Sequence, residues 1–306
     1  MVEAVSHTSY ATGRQKLLGH LAMLLFAGLV AGSFSFGALA APHIGPAAVN
    51  ILRFVLGALV MGAAAFVLLK GRMPPPVAPW RYAVLGGLMA VFFITMFVAL
   101  RITDPVSTGA VFTLMPLMAA GFGYLFLSQV PRGIVVASLV LAAIGAVWVI
   151  FDGSVDAILA FRIGTGELIF LFGAACHAAY VPLVRRFNRG EPVVVFTFWT
   201  LVATGLWIAV YGAREIVTTD WTALPVVVWL AILYLCIFTT AGTFFLVQFA
   251  TMRLPASKVM AYNYLTPTII IFYEGLLGHG WANLSVVAGA LVTMLGLAVM
   301  ALAPDG

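Results

Sequence analysis

Ten apolar runs, separated by short junctions that often contain proline or glycine, dominate this sequence. They cover residues 17–40, 45–69, 80–100, 105–127, 133–151, 164–184, 192–212, 223–249, 255–278 and 282–303. Each run is near the ~20 residues that an α-helix needs to cross the hydrocarbon core of a bilayer. Only 8% of the residues are charged, whereas soluble domains carry about 25%. We therefore predict an all-α integral membrane protein with ten transmembrane helices and the lipid bilayer as its solvent.

The lysines and arginines are distributed unevenly between the two sets of junctions. With a cytoplasmic N-terminus, eleven of the 15 basic residues lie on the cytoplasmic side, Arg53 lies within a run, and only Arg101, Arg162 and Arg214 lie outside. Cytoplasmic loops of membrane proteins carry such an excess. The bias predicts a multi-pass protein of the plasma (inner) membrane with both termini cytoplasmic. It also explains the net charge of +5 without a nucleic-acid partner.

The sequence repeats itself weakly after about 150 residues. A segment ending in Arg101 leads to Pro105, Ser107 and Leu114-Met115-Pro116, and a segment ending in Arg253 leads to Pro255, Ser257 and Leu265-Thr266-Pro267. We divide the chain into residues 1–152, a five-helix repeat with a short cytoplasmic tail, and residues 153–306, a second five-helix repeat. Because five is odd, the second repeat enters the membrane from the opposite side. Inverted repeats are typical of secondary transporters.

These motifs resemble those of the drug/metabolite transporter superfamily, specifically of proteins with two EamA-type repeats. The matching segments are Leu52-Arg53-Phe54, Pro105-Val106-Ser107, Leu114-Met115-Pro116-Leu117, Gly133 with Ala142–Gly145, Pro255-Ala256-Ser257, Leu265-Thr266-Pro267, and Gly289 with Gly296. The resemblance covers the chain after residue 16 and implies export of amino acids and related metabolites. The family often ends its fourth helix with Gly-Glu, where this sequence has Ser128-Gln129 and Gly278-His279. We therefore assign no residue of this chain the role that this glutamate has in the family.

Two charged residues lie inside predicted spans, Arg53 in the second and Glu274 in the ninth. A charge at the centre of a span costs about 2.5–3.5 kcal/mol and therefore needs a partner or water. One interpretation is that these residues bind the charged ends of a substrate or a coupling proton. The alternative is structural, with Arg53 joining helices or reaching toward the surface and Glu274 lying near the headgroups.

Other polar residues in the spans complete the predicted substrate site. With Arg53 and Glu274, the set comprises Thr113, His177, Tyr180, Trp199, Thr200, Tyr262, Asn263 and Tyr264. For Trp199 and Tyr180 the alternative is packing against lipid or in an interfacial belt, and for His177 it is a hydrogen-bonded histidine within a helix. Pro116 and Pro267 are predicted hinges, because proline removes a backbone hydrogen bond and kinks a helix. A purely structural kink is the alternative.

No nucleotide-binding P-loop, catalytic triad or HExxH motif occurs, and the histidines and cysteines show no metal-ligand spacing. We therefore expect no cofactor, no metal and no enzymatic activity. The leading hypothesis is a secondary transporter, acting as a monomer, that exports small metabolites, in particular amino acids, by alternating access through a central cavity. Two alternatives stay open: a carrier for nucleotide-sugars or phosphorylated metabolites, and an intramembrane enzyme acting on lipid-linked substrates.

Overall fold

The computed structural model describes residues 10–40, 43–100, 102–103, 111–276, 281 and 283–304, without the side chains of 33–39, Leu100 and Glu274. Within these residues all regular secondary structure is helical. The helices are α1 (Gly13–Ala40), α2 (Pro46–Leu68), α3 (Trp80–Leu100), α4 (Met115–Leu127), α5 (Gly133–Ile150), α6 (Val155–Ala160), α7 (Thr165–Phe187), α8 (Val193–Thr218), α9 (Val226–Thr251), α10 (Ala256–Ala261), α11 (Leu265–Leu276) and α12 (Leu284–Leu302).

Eight of these helices are long and apolar enough to cross a membrane: α1, α2, α3, α5, α7, α8, α9 and α12. The all-helical membrane architecture is therefore confirmed. The predicted fourth span appears as the 13-residue α4, and its start at residues 104–110 lies outside the described part, as do Pro105 and Ser107. The predicted ninth span is divided into α10, a 3₁₀ turn and α11. A count of ten spans depends on including these two.

Both predicted hinge prolines lie next to a change in helical hydrogen bonding. Pro116 is in the first turn of α4 and follows a turn at 113–114. Pro267 is the third residue of α11 and follows the 3₁₀ turn Tyr262–Tyr264. The first turn of a helix tolerates proline, because the N–H that proline lacks has no helical acceptor there. Each proline therefore starts a new helical segment instead of interrupting a regular one.

Helices α5 and α12 pack antiparallel at their glycines. A Cβ atom on Gly145 would lie 2.6 Å from the backbone nitrogen of Thr293, and one on Gly296 would lie 2.8 Å from that of Ala142. The 151-residue spacing of Pro116 and Pro267 also relates Gly145 to Gly296 and Ala142 to Thr293. The two contacts are therefore the same contact seen from each repeat, as in a two-fold interface.

Helices α2 and α8 form the second such pair. Gly62 faces Phe198, Gly205 faces Phe54, and Gly212 faces Ala47, so the two helices run in opposite directions. A two-fold axis that relates antiparallel helices is perpendicular to them. The repeats are therefore inverted in the structure, with the axis crossing the middle of the bundle, where the core of buried residues from both repeats lies.

Candidate substrate site

Arg53 is buried in α2 and is held by neutral oxygen atoms. Its Nε donates to Oγ1 of Thr240 at 3.2 Å, one terminal nitrogen to Oγ1 of Thr239 at 3.3 Å, and the other to Oδ1 of Asn50 at 3.4 Å. Among the side chains that the structure describes, no acidic group forms an ion pair with Arg53. The guanidinium charge is thus oriented by its neighbours without being neutralised by them.

A π-helical segment of α9, Leu235–Gly242, presents the two threonines to Arg53. The Thr239 and Thr240 hydroxyl groups both donate to the carbonyl oxygen of Leu235, at 2.8 and 2.9 Å. With their protons committed to that carbonyl, both oxygens offer lone pairs to the guanidinium. Single π turns within α-helices occur frequently at functional sites.

Three phenylalanines form an aromatic wall beside Arg53. The Phe93 ring centroid lies 5.3 Å from Cζ of Arg53, within the range of a cation–π contact. Phe54 packs edge-on against both Phe93 and Phe244, with centroids 5.2 and 5.5 Å apart. Next to the charged group, the centre of the bundle therefore provides an apolar surface contributed by α2, α3 and α9.

A buried polar network joins α7, α8 and α9. Nε2 of Gln248 donates to the Tyr180 hydroxyl at 2.9 Å and to Oγ1 of Thr200 at 3.3 Å, while its Oε1 is 2.6 Å from Oγ1 of Thr197. The Tyr180 ring lies 6.1 Å from that of Phe244. The aromatic wall therefore connects this network to the surroundings of Arg53.

His177 lies on the same helix as Tyr180, and their ring centroids are 6.2 Å apart. The imidazole is buried against Phe92, with centroids 4.5 Å apart. Its Nδ1 has no hydrogen-bond partner among the described residues. The structure thus places His177, Tyr180 and Thr200 together, as members of or neighbours to the polar network.

The 3₁₀ turn brings further predicted residues into the interior. The Tyr262 hydroxyl lies 2.9 Å from Nδ1 of His20 in α1. Within the described part of the chain, Oδ1 of Asn263 and the hydroxyl of Tyr264 are buried without hydrogen-bond partners. Thr113, which the 151-residue spacing relates to Tyr264, is also buried. The buried atoms of Asn263 and Tyr264 are polar groups that a substrate could satisfy near Pro267.

Trp199 is a predicted site residue that does not join this assembly, and the side chain of Glu274 cannot be placed relative to it. Nε1 of the half-buried Trp199 donates to the carbonyl oxygen of Pro74 at 3.2 Å, so the indole points to the α2–α3 connection. The backbone of Glu274 lies in α11, but its side chain is outside the described residues. The role predicted for Glu274 stays a prediction.

Sequence reasoning missed Asn50, Thr239, Thr240 and Gln248 as site residues. The signal for Gln248 was present, because it is the one amide in the run 223–249. The adjacent hydroxyl groups of Thr239 and Thr240 were a weaker signal. Threonine commonly bonds its own helix backbone, and only the π geometry shows that both also face Arg53.

An ion pair lies at the end of the bundle where α8 begins, here termed the Arg81 end. Arg81 is fully buried and binds the Glu191 carboxylate, with further bonds to the carbonyl oxygens of Phe187 and Val77. Burial raises the pKa of Glu191, but hydrogen bonds from Arg81 and from the backbone of Arg189 outweigh it, so the pKa is lower than that of an ordinary glutamate. The pair closes the junction between α3, α7 and α8.

The other end of α8, here termed the Glu215 end, contains a small cavity. Oε1 of Glu215 accepts hydrogen bonds from the backbone nitrogens of Ala47 and Ala48, at 2.8 and 3.1 Å, and so caps α2. Beside it lies a cavity of about 50 Å³, lined by Glu215 and Asn50 among others, with room for a few water molecules. Asn50 lines this cavity and also accepts a hydrogen bond from Arg53, so one side chain separates the cavity from the guanidinium.

Comparisons with known proteins agree with this architecture. Residues 17–151 and 164–302 each match the EamA-like transporter family. An uncharacterized transporter, YyaM of Bacillus subtilis (strain 168), is 28% identical over 221 residues, covering 71% of each chain. A crystal structure of a protein 22% identical in sequence matches the fold with a TM-score of 0.74, covering 94% of this chain and 96% of that chain. With two matched repeats that span most of its length, the chain belongs to the EamA-like transporter family, whose members transport small molecules.

Proposed function

We propose that this protein exports small zwitterionic metabolites, in particular amino acids, across the plasma membrane by alternating access, with Arg53 binding the substrate carboxylate. The observation that carries the proposal is the buried guanidinium of Arg53, held by three neutral acceptors. An isolated buried charge is costly. A substrate carboxylate would balance it and could accept two parallel N–H···O bonds.

The surroundings of Arg53 fit the rest of an amino acid. The aromatic wall of Phe54, Phe93 and Phe244 offers apolar surface for a side chain. Beyond Phe244, the hydroxyl oxygen of Tyr180 and the amide oxygen of Gln248 are hydrogen-bond acceptors that an amino group requires.

The distribution of buried basic groups favours a single carboxylate over a phosphate ester. Among the described residues, Arg53 is the buried basic side chain nearest the middle of a membrane helix. The others, Arg81, Arg185 and Lys258, lie near helix ends. One guanidinium balances one negative charge. A carrier of sugar phosphates would need additional positive charge at the centre.

Counterflow in proteoliposomes tests the proposal. Vesicles loaded with one unlabelled compound would be assayed for uptake of a labelled amino acid, using apolar amino acids, their decarboxylated amines and sugar phosphates as loads. We expect exchange with amino acids and little with the matched amines, because only the amines lack the group that Arg53 binds. A parallel assay uses a labelled sugar phosphate. Exchange of labelled sugar phosphate against the unlabelled compound, with no uptake of the labelled amino acid against any load, would refute the proposal.

A further inference from the structure

A second and larger cavity lies at the Arg81 end, away from Arg53. Its volume is about 220 Å³, and it is lined by residues of the α4–α5 connection, the start of α10 and the end of α12. The Arg186 side chain, at the end of α7, donates to the carbonyl oxygen of Phe126 in α4 at 3.0 Å, which places the end of α4 beside the end of α7. Gln129, Arg132 and Lys258 are among the lining residues.

Two basic side chains line this cavity. Lys258 is 1% exposed, and its Nζ donates to the carbonyl oxygen of Ala303 at 2.6 Å. Arg132 is exposed in the α4–α5 connection. No acidic side chain is among the described residues that form the wall. Both side chains end in positively charged hydrogen-bond donors, which suit an anionic ligand.

Gln129 adds a buried donor to the same wall. Its Oε1 accepts a hydrogen bond from the backbone nitrogen of Ala256 at 3.2 Å, which fixes the amide. Its Nε2 is buried and has no hydrogen-bond partner among the described residues. Buried amide donors normally have an acceptor, so this group requires one that the described protein atoms do not provide.

We propose that this cavity binds a phosphoryl group, with Lys258, Arg132 and Gln129 as its donors. Two charged donors and one amide donor suit the several oxygens of a phosphate. Basic pockets between membrane helices on the cytoplasmic side, where the distribution of basic residues predicts this end to lie, bind phosphate headgroups. The group could belong to an anionic lipid or to free phosphate. Exposed Val130 and Ile134 lie beside the cavity, where they could contact acyl chains.

Binding here would join the two repeats at one end of the bundle. Gln129 and Arg132 belong to the first repeat, whereas Lys258 belongs to the second. A phosphoryl group bonded to both sides would strengthen the existing link between Gln129 and Ala256. The existence of the site does not depend on which substrate Arg53 binds.

The test measures phosphate-dependent thermal stabilisation of the full-length protein in nanodiscs. One arm adds inorganic phosphate, at constant ionic strength, to nanodiscs of phosphatidylcholine. The other compares phosphatidylglycerol with phosphatidylcholine nanodiscs without added phosphate. Arg132→Gln removes an exposed cavity residue, and Arg14→Gln removes an exposed basic residue of similar type that does not line the cavity. Lys258→Met neutralises the buried donor.

In Arg132→Gln we expect the ligand concentration for half-maximal stabilisation to rise about tenfold, because one charge-assisted hydrogen bond is lost. In Arg14→Gln we expect this concentration to stay unchanged. A response in the phosphatidylglycerol arm identifies a lipid headgroup as the ligand, and a response in the phosphate arm identifies free phosphate. Equal behaviour of Arg132→Gln and Arg14→Gln in both arms would overturn the proposal, even if Lys258→Met fails to fold.

Discussion

The ring of Phe93 stacks on the ring of Phe244, with centroids 6.5 Å apart and planes inclined by 13°. The two residues are separated by the same 151 positions as Pro116 and Pro267, so they occupy equivalent places in the two repeats. The stack therefore lies on the local two-fold axis. Arg53 contacts Phe93 and Tyr180 contacts Phe244, which places the candidate binding groups where alternating access requires a fixed site.

Neutralising Arg53 tests its contact with substrate. Arg53→Gln keeps a polar side chain beside Thr239 and Thr240 but removes the charge. We expect affinity for amino acids to fall about 10- to 100-fold, as for a lost hydrogen bond to a charged group, with expression intact. Equilibrium binding to purified protein measures this. Thr240→Val should weaken binding less, because the charge remains. An Arg53→Gln protein that binds normally, or that does not insert, would indicate a structural role.

The Gln248 network can be tested by a double-mutant cycle. Gln248→Leu leaves the Tyr180 hydroxyl buried without its donor, whereas Thr197 and Thr200 keep bonds to the carbonyl oxygens of Val193 and Phe196. We expect a loss of about 1–3 kcal/mol in stability. Adding Tyr180→Phe to Gln248→Leu should recover part of that loss, because the orphaned hydroxyl is removed. Strictly additive effects would show that the two side chains are not coupled.

Replacing either hinge proline should slow transport more than it weakens binding. Pro116→Ala and Pro267→Ala each restore a backbone N–H, so the helix can continue regularly through the turn that precedes the proline. We expect turnover in proteoliposomes to fall several-fold while equilibrium binding stays near that of the parent. Normal turnover in both variants would show that the prolines serve packing alone.

The orientation in the membrane can be tested with single cysteines. After replacement of Cys176 and Cys236, one cysteine is introduced at the exposed Asp156 and another at the exposed Arg189. The uneven distribution of basic residues predicts that a membrane-impermeant maleimide labels position 156 in intact cells and position 189 only after permeabilisation. Labelling of both from the same side would contradict the predicted topology.

The Arg81–Glu191 pair should make stability depend on pH. Folding lowers the pKa of Glu191. The ionised side chain therefore contributes fully to folding stability above the unfolded pKa of about 4.3, and this contribution is lost as the pH falls through the lower folded pKa. Glu191→Gln should therefore reduce the midpoint of thermal unfolding at pH 7, and the difference should shrink below about pH 4. Asp156→Asn, an exposed change, serves as the control. A constant difference at every pH would argue against the ion pair.

The apolar runs and the repeat predicted the helical membrane architecture because a bilayer leaves few alternatives for a backbone that must satisfy its own hydrogen bonds. The residues of the candidate site were predicted less well than the fold. Tyr180 and Thr200 were identified as polar groups inside spans, yet Trp199, one residue from Thr200, points to Pro74. Consecutive residues of a helix face different directions, so position within a span does not determine which side chains meet.

The hydrogen-bond partners of Arg53 could not be predicted from the sequence for another reason. Thr239 and Thr240 are 186 and 187 residues from Arg53 along the chain, and a regular helix would direct two adjacent threonines to different sides. The π segment brings both to one guanidinium. Such a segment adds one residue to a turn, and hydrophobic periodicity averaged over a whole span does not detect it.

The Gln248 network has no counterpart in the first repeat, and this difference bears on where an empty carrier rests. At the 151-residue spacing, Phe97 corresponds to Gln248, and Pro46 to Thr197. Identical halves would give the inward-open and outward-open forms equal free energy. Here, hydrogen bonds from Gln248 stabilise the conformation in which α7, α8 and α9 stay together, and Phe97 cannot make them when the halves exchange roles. Under the alternating access proposed above, we therefore expect the unloaded protein to favour one side of the membrane. A substrate arriving from the other side would then bind with a lower apparent affinity, because only a small fraction of the protein would be in the conformation that binds it.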